Sequence, residues 1–250
     1  MAGKINCWRC KKRKFKKIWN SDKLNELRIR FLKEVENIDV CSTCGNLKYC
    51  QVDNIDDYAE EILKGFYNKM DSKNTKYQSK LNLENRTPLQ EIIPLETPFV
   101  MHLDSSTACN FKCEFCPSAS STNKDYVKMN LDLDLYKKAI DDLKDFNNNL
   151  KILRFYKIGE PLMNRNIAEM VAYARNSNKV DFIDMTTNGS LLTNELSLKL
   201  VDAGLNKINI SIEGINSEQY NKYAHYNINF NEFINNLAFL YKNKKTWKLQ

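Results

Sequence analysis

Residues 150–189 read LKILRFYKIGEPLMNRNIAEMVAYARNSNKVDFIDMTTNG. The run LKILRFY (150–156) is short, apolar and aromatic, and it ends at a Gly-Glu-Pro turn, which predicts a strand. NIAEMVAYARNS (166–177) carries helix formers with apolar residues on one stripe and predicts a helix. VDFIDMTT (180–187) returns to strand composition and stops at Asn-Gly. Strand, helix and strand in one stretch make a parallel βαβ unit, because parallel neighbours need a crossover and the helix supplies it.

Outward from this unit the alternation continues. FVMHLD (99–104) and KINISIE (207–213) read as strands, and TWKLQ (246–250) as a strand just opening. LDLYKKAIDDLKDF (133–146) predicts a helix with Leu135, Ala139, Leu143 and Phe146 on one face. NELSLKLVDAG (194–204) predicts a second, begun by Thr193 as N-cap and stopped by Gly204, and NEFINNLAFLYKN (231–243) a third. The expected fold class is α/β, a partial (β/α) TIM-like barrel. A chain that stops as a strand opens predicts a barrel truncated at its C-terminus.

The composition sets bounds. At 250 residues with 42% hydrophobic content, the chain can build a packed core, which excludes wholesale disorder. No apolar run approaches the ~18 residues of a membrane span. The start, MAGKINCWRCKKRKFKK, has no apolar segment of the secretory kind. The expectation is a cytoplasmic protein with no membrane partner. Thiols stay reduced there, so eight cysteines argue for metal or cluster ligation over disulfides.

The expected organisation is a cysteine-rich helical module at 1–70, a linker at 71–96 near Pro88, Pro94 and Pro98, and the core at 97–250. Within the module, 21–37 reads as an amphipathic helix on Leu24, Leu27, Phe31 and Val35, and 56–70 as another on Ile62, Phe66 and Met70.

Parallel barrels place chemistry on the loops after strand C-termini. The unusual residues fall there each time: SSTACNFKCEFCPSAS (105–120) after the first strand, IGEPLMN (158–164) after the second, TNGSLLT (187–193) after the third, and Ser211 with Glu213 at the end of the fourth. The first loop spaces its thiols Cys109-x3-Cys113-x2-Cys116. Three buried cysteines acting as small hydrophobes are one reading, but Asn110, Lys112 and Glu114 interleave them in a polar loop. Zinc is another and needs a fourth ligand, with both histidines, His102 and His225, distant in sequence from the thiols. An iron–sulfur cube is the third. It normally takes four thiolates, so three leave one iron open to bind and activate a ligand.

The cysteine spacing after a first barrel strand resembles the radical S-adenosylmethionine (SAM) superfamily, as do GEPL (159–162), TTNGSLLT (186–193) and NISIEG (209–214) in that order. The resemblance runs from about 97 to 245. It implies a [4Fe–4S] cluster on Cys109, Cys113 and Cys116. The fourth iron would hold the amino and carboxylate groups of SAM, and an electron through the cluster would cleave SAM to methionine and a 5′-deoxyadenosyl radical that abstracts a substrate hydrogen. Phe115 matches the aromatic near the adenine; Gly159, Glu160 and Pro161 match the motif receiving the SAM amino group. Asn188 and Ser211 would lie near the methionine or ribose end, and Glu213 is a further cofactor-binding candidate. The pattern departs at YNKYAH (220–225): Ala224 stands where many relatives carry an arginine suited to the SAM carboxylate, with Lys222 or His225 as possible substitutes.

At the N-terminus, Cys7-x2-Cys10 and Cys41-x2-Cys44 form thiol pairs with Cys50 as a fifth. Paired knuckles suit zinc. Residues 17–50 also resemble the end of a SPASM or twitch domain, which implies an auxiliary [4Fe–4S] cluster, although in relatives that module follows the barrel. RCKKRKFKK (9–17), with Trp8, Phe15 and Trp19 close by, reads as a solvated basic face or as a surface for an anionic partner such as RNA. The expected function is a radical SAM enzyme acting on a peptide, sugar or other metabolite, with flavodoxin or ferredoxin as electron donor. The alternatives are a zinc-bearing scaffold of reduced activity and an RNA-modifying radical SAM enzyme.

Overall fold

A computed structural model describes residues 14–34, 37–42, 94–116 and 127–244. The expected helix at 56–70, most of the linker, the strand at 246–250, and Cys7, Cys10, Cys44 and Cys50 lie outside these residues. Backbone packing divides the chain into two compact units: Phe99–Asp141 with Asn149–Gln250 (and the first residues of the chain), and Lys12–Pro98 with Asp142–Asn148.

The larger unit is a parallel sheet of four strands in the order β1 (Val100–His102), β2 (Leu150–Phe155), β3 (Val180–Thr187), β4 (Lys207–Ile210). In chain order the described helices are α1 (Phe15–Trp19), α2 (Asp22–Glu34), α3 (Asp39–Ser42), α4 (Leu133–Asp141), α5 (Ile167–Asn176), α6 (Asn194–Asp202), α7 (Ser217–Ala224) and α8 (Phe230–Asn243). α5 joins β2 to β3, and α6 joins β3 to β4. This is the α/β architecture of a partial (β/α) barrel.

One face of the sheet is sealed by helices. Leu153, Phe155, Ile183 and Met185 are fully buried, together with Tyr136, Ile140, Met170, Val171 and Ala174 from the helices. Each side chain of this kind contributes about 1.5–3 kcal/mol on leaving water. The buried stripe of α4 is Tyr136 and Ile140, not the expected Leu135 and Ala139, which are only partly covered. The reason is that the Tyr136 hydroxyl donates to the Met170 carbonyl at 2.6 Å, so the ring enters the core with its polar end satisfied. After Asp141 the chain tightens into a 3-10 turn, Asp142–Asp145, and does not continue the helix to 146.

The caps follow the sequence. Thr193 accepts from Leu196 N–H at 3.1 Å at the start of α6, and Gly204, at φ +88, stands beyond its end. β4 is shorter than expected: Ser211 N–H still donates to Thr187 O at 2.9 Å, then Glu213 N–H turns to the Tyr220 hydroxyl. α7 is an element that hydrophobic periodicity did not suggest. Its signature is an N-cap, Asn216 Oδ1 accepting from Gln219 N–H, with Gln219 Oε1 reaching back one residue further to accept from Ile215 N–H.

In the smaller unit Phe15 packs edge-on against Phe146 at 5.4 Å, and its N–H donates to Asp142 Oδ2. Trp19 donates to Leu95 O at 2.8 Å under the Arg28 guanidinium. Lys14, of the basic run, pairs with Asp142 and Asp145, and Lys16 with Glu96. Leu27 and Phe31 of the expected α2 stripe are exposed. No helix among the described residues is long and apolar enough to cross a membrane.

Candidate functional site

All the predicted core residues sit at the C-terminal edge of the sheet, on four loops that tie to one another. The cysteine loop leaves β1 through Ser105 and Ser106, both buried. Ser105 donates its hydroxyl to Pro161 O at 3.2 Å, and Asp104 Oδ1 accepts from Ile158 N–H at 2.8 Å. The loop after β2 is therefore strapped to the first before any thiol is reached.

Gly159 adopts φ +73, and a Cβ there would lie 2.4 Å from Ser106 O and 2.7 Å from Thr107 C. Only glycine allows this approach. It lets Glu160 N–H donate to Ala108 O at 2.8 Å, one residue before Cys109. Pro161 opens a buried 3-10 turn, Pro161–Met163. The Glu160 carboxylate is 2% exposed, and both of its oxygens are engaged. Oε1 accepts from Leu162 N–H and the Thr187 hydroxyl, and Oε2 from Asn188 N–H at 2.8 Å. Burial pushes this carboxyl above its ordinary value, while the donors of Thr187, Asn188 and Leu162 pull it back. Glu160 thus knots the second loop to the third.

The third loop closes the circuit. Asn188 Nδ2 donates to Asn110 Oδ1 at 2.9 Å and lies 3.9 Å from Cys109 Sγ, while its Oδ1 accepts from the N–H and hydroxyl of Ser190. Asn110 in turn donates to the Ser190 hydroxyl at 2.8 Å. Sequence reading had not singled out Asn110, Thr187 or Ser190 as members of the site. Their signal was position alone, flanking the cysteine and Asn-Gly motifs.

The thiols occupy different environments, and none is in a disulfide. Cys113 is buried with Phe111, Tyr220, Ala224, Ile228 and Phe233, and Cys109 and Cys116 pack against that group half-buried. Burial first, then Glu213, Cys109 and Cys116, push the Cys113 thiol up to about 11. Cys109 is raised by burial, with smaller contributions from Glu160 and Cys116. Gathered would-be thiolates that raise one another are a donor set a cationic group relieves, so the residues fit an iron–sulfur cluster. Among the described residues no three ligating side chains converge on a single-ion site.

Phe115 is 68% exposed, so its ring is not a core residue. Ser211 is half-buried at the end of β4, and Glu213 half-buried beyond it, near enough to Cys113 to oppose its ionisation. Ala224 is fully buried, and its carbonyl accepts from Lys112 N–H at 2.8 Å within the cysteine loop. His225, at φ +49, ends α7 and approaches Glu114 at 3.5 Å. Lys222 lies over the Tyr223 ring. Cys41 belongs to α3 in the other unit.

A family model described as the radical SAM superfamily matches residues 103–247. The chain belongs to the radical SAM superfamily. The radical SAM core is similar to GTP 3′,8-cyclase of Staphylococcus haemolyticus, 30% identical over 138 residues that make up 51% of this chain and 38% of the relative. It is also similar to GTP 3′,8-cyclase of Staphylococcus carnosus, 32% identical over 138 residues, again 51% and 38%. The chain thus spans less than two fifths of the length of these curated relatives. Among solved structures, BtrN in complex with AdoMet and 2-DOIA aligns at a TM-score of 0.45 and 22% identity, over 58% of this chain and 55% of that one. The maturase HydG from Carboxydothermus hydrogenoformans aligns at 0.43 and 14% identity, over 95% and 50%.

Proposed function

We propose that the chain binds SAM at a [4Fe–4S] cluster held by Cys109, Cys113 and Cys116, and cleaves it reductively to initiate hydrogen abstraction from a substrate. The observation that carries this reading is the closed circuit of bonds around Cys109: Ala108 held by Glu160, Glu160 by Asn188, and Asn188 beside the Cys109 sulfur. When bound, the cluster supplies the electron that breaks the C5′–S bond of SAM. The protein's part is to bind, aim and exclude water.

In this reading the exposed Phe115 ring stacks on the adenine. Glu160, whose oxygens are fully engaged, shapes the loop of Gly159 and Pro161 so that backbone carbonyls meet the SAM ammonium. Asn188 braces Cys109, and Ser211 and Glu213 border the ribose and methionine end. Cys7, Cys10, Cys41, Cys44 and Cys50 would hold a second centre, an auxiliary [4Fe–4S] cluster or zinc, supported by their spacing alone. We assign domains of 1–70 and 97–250 joined by 71–96, a cytoplasmic setting, and a low-potential donor such as flavodoxin or ferredoxin. The relatives named GTP 3′,8-cyclase support the enzyme class through the shared core.

Anaerobic reconstitution tests the reading. The protein is expected to hold about four irons and as many sulfides at the core site, and to form 5′-deoxyadenosine with SAM and dithionite. Retention of both by the combined Cys109→Ala, Cys113→Ala and Cys116→Ala variant would overturn it. Zinc analysis of the same samples, with the five N-terminal cysteines replaced in turn, identifies the second centre.

A further inference from the structure

The face of the sheet opposite the helices carries a row of ionisable residues beside the apolar Val100, Ile152 and Phe182. Strands of such sheets are usually apolar on both sides. Here the register aligns His102 of β1 with Arg154 of β2, Arg154 with Asp184 of β3, and Asp184 with Lys207 of β4. Paired residues of parallel strands project on one side. Four ionisable residues therefore cross all four strands in one row. The neighbouring positions Leu153, Phe155, Ile183 and Met185 point the other way, into the helix layer.

The row is built, not merely charged. Asp184 has a side chain only 4% exposed, and both its oxygens face Arg154: Nε donates at 2.8 and 3.0 Å, Nη2 at 2.6 Å. The guanidinium, 35% exposed, is thereby held in one orientation with Nη1 uncommitted. A buried pair of this kind is a poor source of stability, since apolar residues of similar size often do as well or better. His102 Nδ1 lies 3.0 Å from the Tyr156 carbonyl, an acceptor only, so Nδ1 carries the hydrogen and the ring is spent on holding the end of β1. Lys207 is exposed and makes no ion pair among the described residues. Asp184 neutralises one cation, which leaves the row net positive. Two residues along, toward the C-terminal edge, Asn209 donates to Thr186 Oγ1, and two residues back Val100, Ile152 and Phe182 share the face. His102 ends β1, and Arg154 is the last residue but one of β2, so this end of the row lies just below the loops that carry the cysteines and Glu160, while Lys207 stands at the start of β4.

We propose that this row holds a substrate site for an oxyanion, in which Arg154, oriented by Asp184, receives on its uncommitted Nη1 a phosphate or carboxylate group of the molecule presented to the radical, with Lys207 adding positive charge on the far side of Asp184. The site rests on the radical SAM reading and gives that reading a substrate class: anionic and oxygen-rich. A bidentate guanidinium suits either group.

The test is equilibrium dialysis of the reconstituted full chain against radiolabelled inorganic phosphate and, separately, radiolabelled acetate, with iron content and SAM affinity measured on the same samples. The expected result is saturable binding of one anion, one per chain, weakened at least tenfold in Arg154→Gln and not displaced by saturating SAM. Phosphate binding identifies a phosphorylated substrate, acetate binding a carboxylate. Because Arg154→Gln strands a buried carboxylate and can fail to fold, the paired replacement Arg154→Leu with Asp184→Leu restores the apolar composition usual for such a sheet. It too is expected to lose the anion. Binding of neither anion by a protein that holds iron and SAM overturns the site and leaves the enzyme reading standing. So does anion binding retained in the paired variant. One-for-one displacement by SAM would give Arg154 to the SAM carboxylate and equally overturn it. Failure to hold iron or SAM overturns both.

Discussion

Glu160→Gln tests whether the carboxylate is the knot of the site. Three donors point at it, from Leu162 N–H, the Thr187 hydroxyl and Asn188 N–H, in a position 2% exposed. A glutamine has the same size but only one oxygen. With its NH2 at the Oε2 place, it meets Asn188 N–H donor to donor; at the Oε1 place it meets Leu162 N–H. Either way two buried N–H groups are orphaned, at about 1–3 kcal/mol each, or about 2–6 kcal/mol in all. Against a typical domain stability of about 5–15 kcal/mol, that is a large share. Urea unfolding of the anaerobic apoprotein, followed by circular dichroism with an unchanged slope, measures it. Glu195→Gln is the control, since that side chain is 77% exposed beside Lys199, and its expected effect is within about 0.5 kcal/mol. If Glu160→Gln costs no more than the control, the carboxyl is protonated in the folded protein and the knot is not ionic.

Gly159→Ala is expected to lose about 2–5 kcal/mol, combining a non-glycine residue at positive φ with overpacking against Ser106 O and Thr107 C. Gly204→Ala, at φ +88 but facing only the flexible Arg175 side chain, is expected to lose about 1–2 kcal/mol by the same unfolding assay. Ala224→Arg, which installs the residue many relatives carry, is expected to cost about 3–5 kcal/mol and to lower iron content, because a charge would enter a fully buried site with no partner; a variant of undiminished stability and tighter SAM binding would show that α7 can shift outward. Asn188→Ala removes a donor beside Cys109 Sγ, and hydrogen bonds to sulfur favour the reduced cluster. The midpoint potential, read by redox titration with paramagnetic resonance, is expected to fall; an unchanged or higher value refutes the contact.

The sheet and its crossovers were legible in the sequence because short apolar runs and amphipathic helices alternate at regular spacing. Boundaries held best where chemistry marks them, as at Thr193 and Gly204. α4 shows what periodicity misses. Tyr136 counts as polar on paper, yet its hydroxyl finds Met170 O and the ring is wholly buried. α7 was hidden for a related reason: its polar sequence lacks a strong apolar stripe, and only the cap bonds of Asn216 to Gln219 N–H and of Gln219 to Ile215 N–H announce it. In the site, the thiols and the Gly-Glu-Pro and Asn-Gly motifs were plain from residue type and order. That Glu160 has both oxygens engaged within the protein was not, because which partners a carboxylate takes depends on loops distant in sequence. The row across the open face was invisible for the same reason, since His102, Arg154, Asp184 and Lys207 align only through strand register.

Protein contacts fasten the cysteine loop. Phe111 and Cys113 are packed among Tyr220 and Phe233, and Lys112 N–H is held by Ala224 O. In a zinc finger the metal does the folding, and its loss leaves an unfolded chain. Here the loop is also tied to α7 and α8 by side chains that offer no thiolate, so how firmly the thiols are spaced depends on Tyr220, Ala224 and Phe233 as well as on what the thiols hold.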